Sequence, residues 1–168
     1  MITQKELKER LHYDPDTGIF TYITSPAPRV MVGDSAGCIN GNGYKVITIN
    51  YVLHFAHRLA WLYVHGCLPL DGIDHRNGIR RDNRMCNLRL ATTSENAMNQ
   101  GTNSSNTSGF KGVHRNKRLK KWQAMGTLGG KSCYIGLFKT AEEASVAYQA
   151  FAKQHHGEFY SAPTARSS

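Results

Sequence analysis

The apolar positions of this chain change period several times. Leu7 and Leu11, four apart, predict a short helix in residues 3–12. YDPDTGIFTYI then offers a turn at Asp14-Pro15-Asp16-Thr17-Gly18, followed by a strand with Ile19, Tyr22 and Ile23. Gly41-Asn42-Gly43 reads as a tight turn, and Tyr44 to Ile49 as a strand rich in β-branched residues. In FAHRLAWLYVHG, Phe55, Leu59, Leu62 and Tyr63 recur at helical spacing, with Gly66 as the stop. The first third is expected to be a hairpin-rich sheet feeding a helix.

Residues 73–100, IDHRNGIRRDNRMCNLRLATTSENAMNQ, break the pattern. Asp74 and His75, after Ile73, are read as near the end of a short strand or turn, and Leu88 to Leu90 as a strand that pairs back and ties the segment to a core. Thr92 and Glu95 are spaced as a capping box, so a helix starts there, with Asn96 in its first turns and Asn99 three residues on. QGTNSSNTSG, residues 100–109, has no apolar residue and reads as a linker. Three strands are expected near 110–114, 122–128 and 132–138, with Gly129-Gly130 turning the last pair. Thr140 and Glu143 form a second capping box, before a stripe of Ala144, Ala147, Tyr148 and Phe151.

Charge sharpens this division. The chain carries +9 overall, and residues 101–168 hold ten Lys/Arg against three acids, a net +7. An excess concentrated in one segment fits a polyanion binder. Cys38, Cys67, Cys86 and Cys133 form no C-x-x-C pair, so no zinc site is expected and buried or free thiols in a reducing compartment are the default. No run of eighteen apolar residues exists, and MITQKELKERL is no signal segment; no membrane partner and a cytoplasmic location are expected.

The polar stretch has the residue types that phosphodiester hydrolysis requires. A hard divalent cation prefers oxygen ligands, which an Asp carboxylate and an Asn amide oxygen supply. A neutral His can take a proton from the attacking water. Strand, loop, strand and helix are expected to gather Asp74, His75 and Asn96 around one point. His57, beside Arg58, is expected to pack behind that point, while Arg76, Arg80, Arg81 and Arg84 are read as contacts to a nucleic-acid backbone.

Asp74-His75, Asn87 in NLR and Asn96 in SENAMN resemble the HNH nuclease motif of phage and intron homing endonucleases. HRLAW at 57–61, HG at 65–66, NG at 77–78 and DNR at 82–84 fit the same variety; together they cover about residues 44–100. The resemblance implies a ββα-metal nuclease core. Within it, Asp74 and Asn96 would ligate Mg2+ or Mn2+, His75 would be the general base, and Asn87 would brace the loop and orient His75. The departure is at the third letter of the motif, where this chain has Asn96 instead of His.

KGV at 111–113, KW at 121–122, Ala124, IGLF at 135–138, TAEEA at 140–144 and AY at 147–148 resemble the Apetala/ethylene-response-factor type of DNA-binding domain. That family places a three-stranded sheet in the major groove with a helix behind it. Lys111, His114, Arg115, Lys117, Arg118, Lys120, Lys121, Gln123 and Lys131 are the expected contacts. Alternation allows Trp122 and Tyr134 to be core or groove-facing, with the core favoured for Trp122. His114, Met125 and Thr127 stand where the plant domains read with arginines, so their target does not carry over.

The expected fold is therefore α+β. A nuclease domain spans 1–100, with its hairpin-rich part in about 1–55 and the ββα motif in about 70–100. A linker at 101–109, a DNA-binding domain at 110–160 and a tail at 161–168 follow. The expected function is a metal-dependent, site-selective nicking or homing DNA endonuclease, acting on duplex DNA as a monomer without a small-molecule cofactor. The competing expectation is a non-catalytic DNA-binding regulator on an inactive nuclease fold.

Overall fold

Most helices and strands among the described residues are short. The computed structural model describes residues 2–99, 106–155 and 157, and in the side chains of Ser94, Ala97 and Asn99 it describes nothing. The predicted tail, 161–168, and the Asn99 side chain therefore lie outside the described part, as do residues 101–105 of the predicted linker. The elements are helices mixed with small antiparallel sheets, an α+β chain. It divides into two compact units between Ala91 and Thr92. No helix among the described residues is long and apolar enough to cross a membrane, and all four cysteines are free.

In the first unit, α1 (Gln4–Arg10) opens on a capping box in which Thr3 and Glu6 satisfy each other's backbone N–H groups. The predicted helix over 3–12 stops at Arg10, because Leu11–Asp14 is strand β1. Leu7 and Leu11 do fit a helical period, but Leu11 and Tyr13 also alternate, and both are buried. β1 pairs with β2 (Ile19–Tyr22). The inward residue of β2 is Phe20, while Ile19 and Ile23 are exposed.

β3 (Cys38–Ile39), β4 (Lys45–Ile49) and β5 (Val52–Phe55) form a three-stranded sheet, and α2 (Ala56–His65) follows directly. Phe55 caps α2 from outside it, and the buried stripe is Ala56, Leu59, Ala60 and Leu62 with His57. β6 (Gly72–His75) and β7 (Leu88–Ala91) pair antiparallel, with Asp74 opposite Arg89 and His75 opposite Leu88. Leu7, Leu11, Tyr13, Phe20, Ile47, Leu59, Ile73 and Leu88 meet in one core.

The β1–β2 hairpin serves the loop that joins β6 to β7. Gly18, at φ 73°, lies so close that a Cβ there would stand 2.4 Å from the backbone N of Arg84. The Tyr13 hydroxyl donates to the Asn83 carbonyl at 2.7 Å, and Met85 N–H donates to the Pro15 carbonyl at 2.9 Å. Burial pushes the Tyr13 phenol well above its ordinary range, so it stays a donor.

The second unit holds α3 (Thr93–Asn99), then β8 (Val113–Asn116), β9 (Lys121–Leu128) and β10 (Lys131–Phe138), with β9 central, and α4 (Ala141–His155). Asn106 accepts from Ser108 N–H and Gly109 N–H and donates to the Phe110 carbonyl, so 106–110 is an ordered turn instead of open linker. Thr140 and Glu143 make the expected capping bonds. The buried positions of α4 are Ala141, Ala144, Ser145, Tyr148 and Ala152; Phe151 is only half-buried. They pack with Val113, Ala124, Trp122 and Phe138 into a second core.

Replacing Tyr13 with Phe removes one hydroxyl and strands the buried Asn83 carbonyl. The expected cost is about 1–3 kcal/mol in urea unfolding, since a buried acceptor loses its partner without relief from water.

Candidate active site

Asp74 and His75 are neighbours on β6, and both are buried. Strand alternation makes them diverge. Asp74 meets its cross-strand partner Arg89, whose Nε and Nη2 donate to Asp74 Oδ2 at 2.9 and 2.7 Å. Both side chains of this ion pair are almost wholly buried, so each compensates a charge that would otherwise be costly there.

His75 turns toward Asn83, with Nε2 3.3 Å from Asn83 Oδ1. Asn83 Nδ2 donates to the Arg81 carbonyl at 3.2 Å, which fixes the amide so that its oxygen faces the imidazole. The contact is a hydrogen bond in the tautomer that carries its proton on Nε2. Burial pulls the imidazole pKa below 6.5, against the opposing pull of the Asn83 hydrogen bond and of Asp74 and Asp82.

An aromatic wall surrounds that ring. The His57 ring lies 5.2 Å from His75 at 78°, and Tyr44 lies 5.5 Å from His57 and 6.1 Å from His75. Phe55 stacks on His57 at 5.5 Å. His57 is buried, and among the described residues nothing hydrogen-bonds its Nδ1. Burial chiefly, with help from His75 and Arg58, depresses its pKa to about 3, so the ring stays neutral beside His75.

Asn87 braces the loop. Its Oδ1 accepts from Asn77 N–H at 3.0 Å, its Nδ2 donates to the Asp82 carbonyl at 2.8 Å, and its carbonyl accepts from Arg76 N–H at 2.8 Å. The expected bond from Asn87 to His75 is made by Asn83 instead, because Asn87 spends both amide atoms on the loop backbone. The structure thus gathers Asp74, His75 and Asn87 on one hairpin and its connecting loop. Asn96, half-buried, stands on α3 in the second unit, where its N–H donates to the Thr92 carbonyl and Thr92 and Glu95 form the expected capping box.

The four loop arginines differ. Arg84 holds Asp82 through two hydrogen bonds, which push the Asp82 carboxyl down to about 2. Arg80 lies over the Tyr44 ring, 5.1 Å from its centroid, and donates to the Asn42 carbonyl. Arg76 and Arg81 are exposed. In the second unit His114, Arg115, Lys117, Arg118, Lys120, Lys121 and Lys131 are exposed, and Arg115 stacks over a half-buried Trp122. Gln123 is half-buried beside Met125 and Asn116. Lys111 departs from the expected exposed face: it is half-buried, and its ammonium meets the Met98 carbonyl on α3.

Asn83, Arg89 and Tyr44 were not foreseen as parts of this site. DNR at 82–84 held the signal for Asn83, and the pairing of Arg89 with Asp74 needs the hairpin register, which the irregular loop conceals.

A family model described as HNH endonuclease matches residues 54–98, from the end of β5 through α2 and the β6–β7 hairpin into α3. Protein 3.8 of Escherichia phage T7 is 33% identical over 104 residues, which is 61% of this chain and 85% of that protein. "Uncharacterized HNH endonuclease L560" of Acanthamoeba polyphaga mimivirus is 32% identical over 105 residues, 61% of this chain and 54% of that protein. No solved structure matches the chain. The chain belongs to the family of phage T7 protein 3.8 and carries an HNH endonuclease domain at residues 54–98.

The depressed His57 pKa has a consequence for stability. Above 6.5 the ring is neutral folded or unfolded and contributes no pH dependence; below 6.5 the unfolded chain binds a proton that the folded chain refuses until about 3. Stability should fall by about 1 kcal/mol per pH unit as pH drops through that window. Urea midpoints for the native chain and for His57→Phe, compared at neutral and mildly acidic pH, check this; the variant should show the shallower loss.

Proposed function

We propose that the chain is a metal-dependent HNH endonuclease that hydrolyses phosphodiester bonds of duplex DNA, as a site-selective nicking or homing-type enzyme. One observation carries the reading. The segment matched by the HNH endonuclease model contains a buried histidine, His75, whose ring is held by the Asn83 amide and whose pKa burial draws below its ordinary value. A neutral histidine held in that way is suited to take a proton from water.

In this reading Asp74 and Asn96 hold a divalent cation, Mg2+ or Mn2+. Among the described residues no cluster of three or more His, Cys, Asp or Glu could hold a metal ion. A donor set of one carboxylate and one amide oxygen suits a hard cation that keeps water and phosphate in its remaining positions. When bound, the cation supplies charge stabilisation at the scissile phosphate and the departing oxygen. His75 removes the proton of the attacking water, Asn83 holds its ring, and Asn87 holds the loop rigid beneath it. His57, neutral and against the ring, adds no competing charge. Arg76 and Arg81 meet the DNA backbone, and the exposed lysines and arginines of the C-terminal sheet supply affinity as an Apetala-type DNA-binding module. One site per chain fits a monomer that nicks one strand.

A second reading, a non-catalytic DNA-binding regulator, is favoured by the buried Arg89–Asp74 pair. That pair already compensates the carboxylate without a cation.

Cleavage of plasmid and genomic DNA separates the two. The endonuclease reading expects metal-dependent nicks that chelation abolishes and Mg2+ or Mn2+ restores, with sequenced ends that reveal a preferred site. His75→Ala should lower the cleavage rate by about 10²- to 10⁴-fold while leaving DNA affinity nearly intact. Intact affinity with no cleavage in any metal supports the regulator.

The C-terminal module gives an independent expectation. Replacing Lys117, Arg118, Lys120 and Lys121 together with Gln should weaken binding across sequences. The slope of log affinity against log salt should become shallower by about 0.9 for each phosphate that is no longer neutralised. An unchanged slope, read by titration at several salt concentrations, would remove the hairpin tip from the DNA interface.

A further inference from the structure

In the second unit a half-buried cation ties a short helix to the sheet. α3 has only seven residues. Its N-terminal end is secured by the Thr92–Glu95 capping box, whereas its last turn contains no basic residue. The final carbonyls of a helix lack partners within it and carry the negative end of its dipole, so a cation placed there stabilises the end.

Lys111 supplies that cation from outside the helix: its Nζ donates to the Met98 carbonyl at 2.5 Å. The ammonium is placed by a rigid anchor. The Gly112 carbonyl accepts from Met125 N–H at 2.8 Å, joining the segment to β9. Gly112 has φ 70°, and a Cβ there would fall 2.2 Å from the Tyr148 ring. Only glycine therefore lets this turn press against α4. Met98 and Lys111 border the same concavity of about 550 Å³, together with Gly112, Gln123, Met125 and Tyr148. The partial burial that lowers the Lys111 pKa also strengthens its bond to the carbonyl.

We propose that Lys111 is a positioning residue for cleavage: by clamping the last turn of α3 it holds Asn96, two residues before Met98, in place for its ligand role. The inference rests on the reading of Asn96 as a metal ligand. It gives the C-terminal module a task beyond affinity, because the sheet then sets the rate through the helix. Lys111 accordingly leaves the set of DNA contacts.

The test uses the full chain and three measurements: hydrogen–deuterium exchange of the 93–99 amides, affinity for duplex DNA, and single-turnover cleavage. Lys111→Met should raise α3 exchange and lower cleavage, each by about tenfold, with DNA affinity unchanged. Lys111→Arg, which keeps a donor and the charge, should restore both. Lys111→Gln, which keeps a donor without the charge, takes the place of the methionine variant if that one does not fold, and the same two losses are expected. Weaker DNA binding with α3 exchange unchanged overturns the proposal in favour of a phosphate contact. Faster exchange with an unchanged cleavage rate overturns the link to Asn96. A native chain that cleaves nothing overturns the nuclease reading and the rate role together, while the exchange arm still decides the clamp.

Discussion

The segment between His75 and Leu88 has to be held by hydrogen bonds, because it offers almost nothing to a hydrophobic core. Ile79 is exposed and Met85 only half-buried. A polar loop beside a buried imidazole keeps its shape only if its donors and acceptors are matched within the protein. Asn87 joins the two ends of the loop, Asp82 ties Asn77 to Arg84, and Asn83 closes onto Arg81. The β1–β2 hairpin completes the frame through Tyr13 and Pro15. The N-terminal residues thus reach the site without contributing a side chain to its chemistry.

Two electrostatic arrangements share that frame. Asp74 and Arg89 form a buried ion pair in a place where either charge alone would be costly. His75 and His57 are kept neutral by burial, and the Tyr44 and Phe55 rings pack beside them. Adjacent residues of one strand are therefore given opposite environments, charged for Asp74 and apolar for His75. That difference lets one carboxylate and one imidazole coexist without simply forming a pair with each other.

The second unit follows a different rule. Its core is small, built on Val113, Ala124, Ala144 and Tyr148, and its charges lie at the hairpin tip between β8 and β9 and along the strand edges. Arg115, though exposed, lays its guanidinium against the indole of Trp122. Lys111 is half-buried, so not every cation of this unit faces solvent.

Much of the element order was legible in the residues themselves. Gly41-Asn42-Gly43, the Thr92–Glu95 and Thr140–Glu143 boxes, and the α2 stripe ending at Gly66 are local signals, and local sterics and capping bonds decide them without help from distant parts of the chain. Asp74, His75 and Asn87 stood out for the same reason, since their order along the chain carries the motif. Burial on the β6–β7 hairpin was not legible. Alternation suggested Leu88 and Leu90 as the apolar pair, yet Leu90 is exposed and Arg89 is buried, because Asp74 lies opposite Arg89 across the ladder. The partner of His75 depended in the same way on which loop amide folds beneath it, and the loop spacing allowed Asn87 as readily as Asn83. Sequence by itself determined which polar residue types the chain offers, in what order, and roughly where its elements begin. Tertiary structure alone decided which polar atoms face one another, because a buried charge or imidazole takes its properties from neighbours that are distant in the chain.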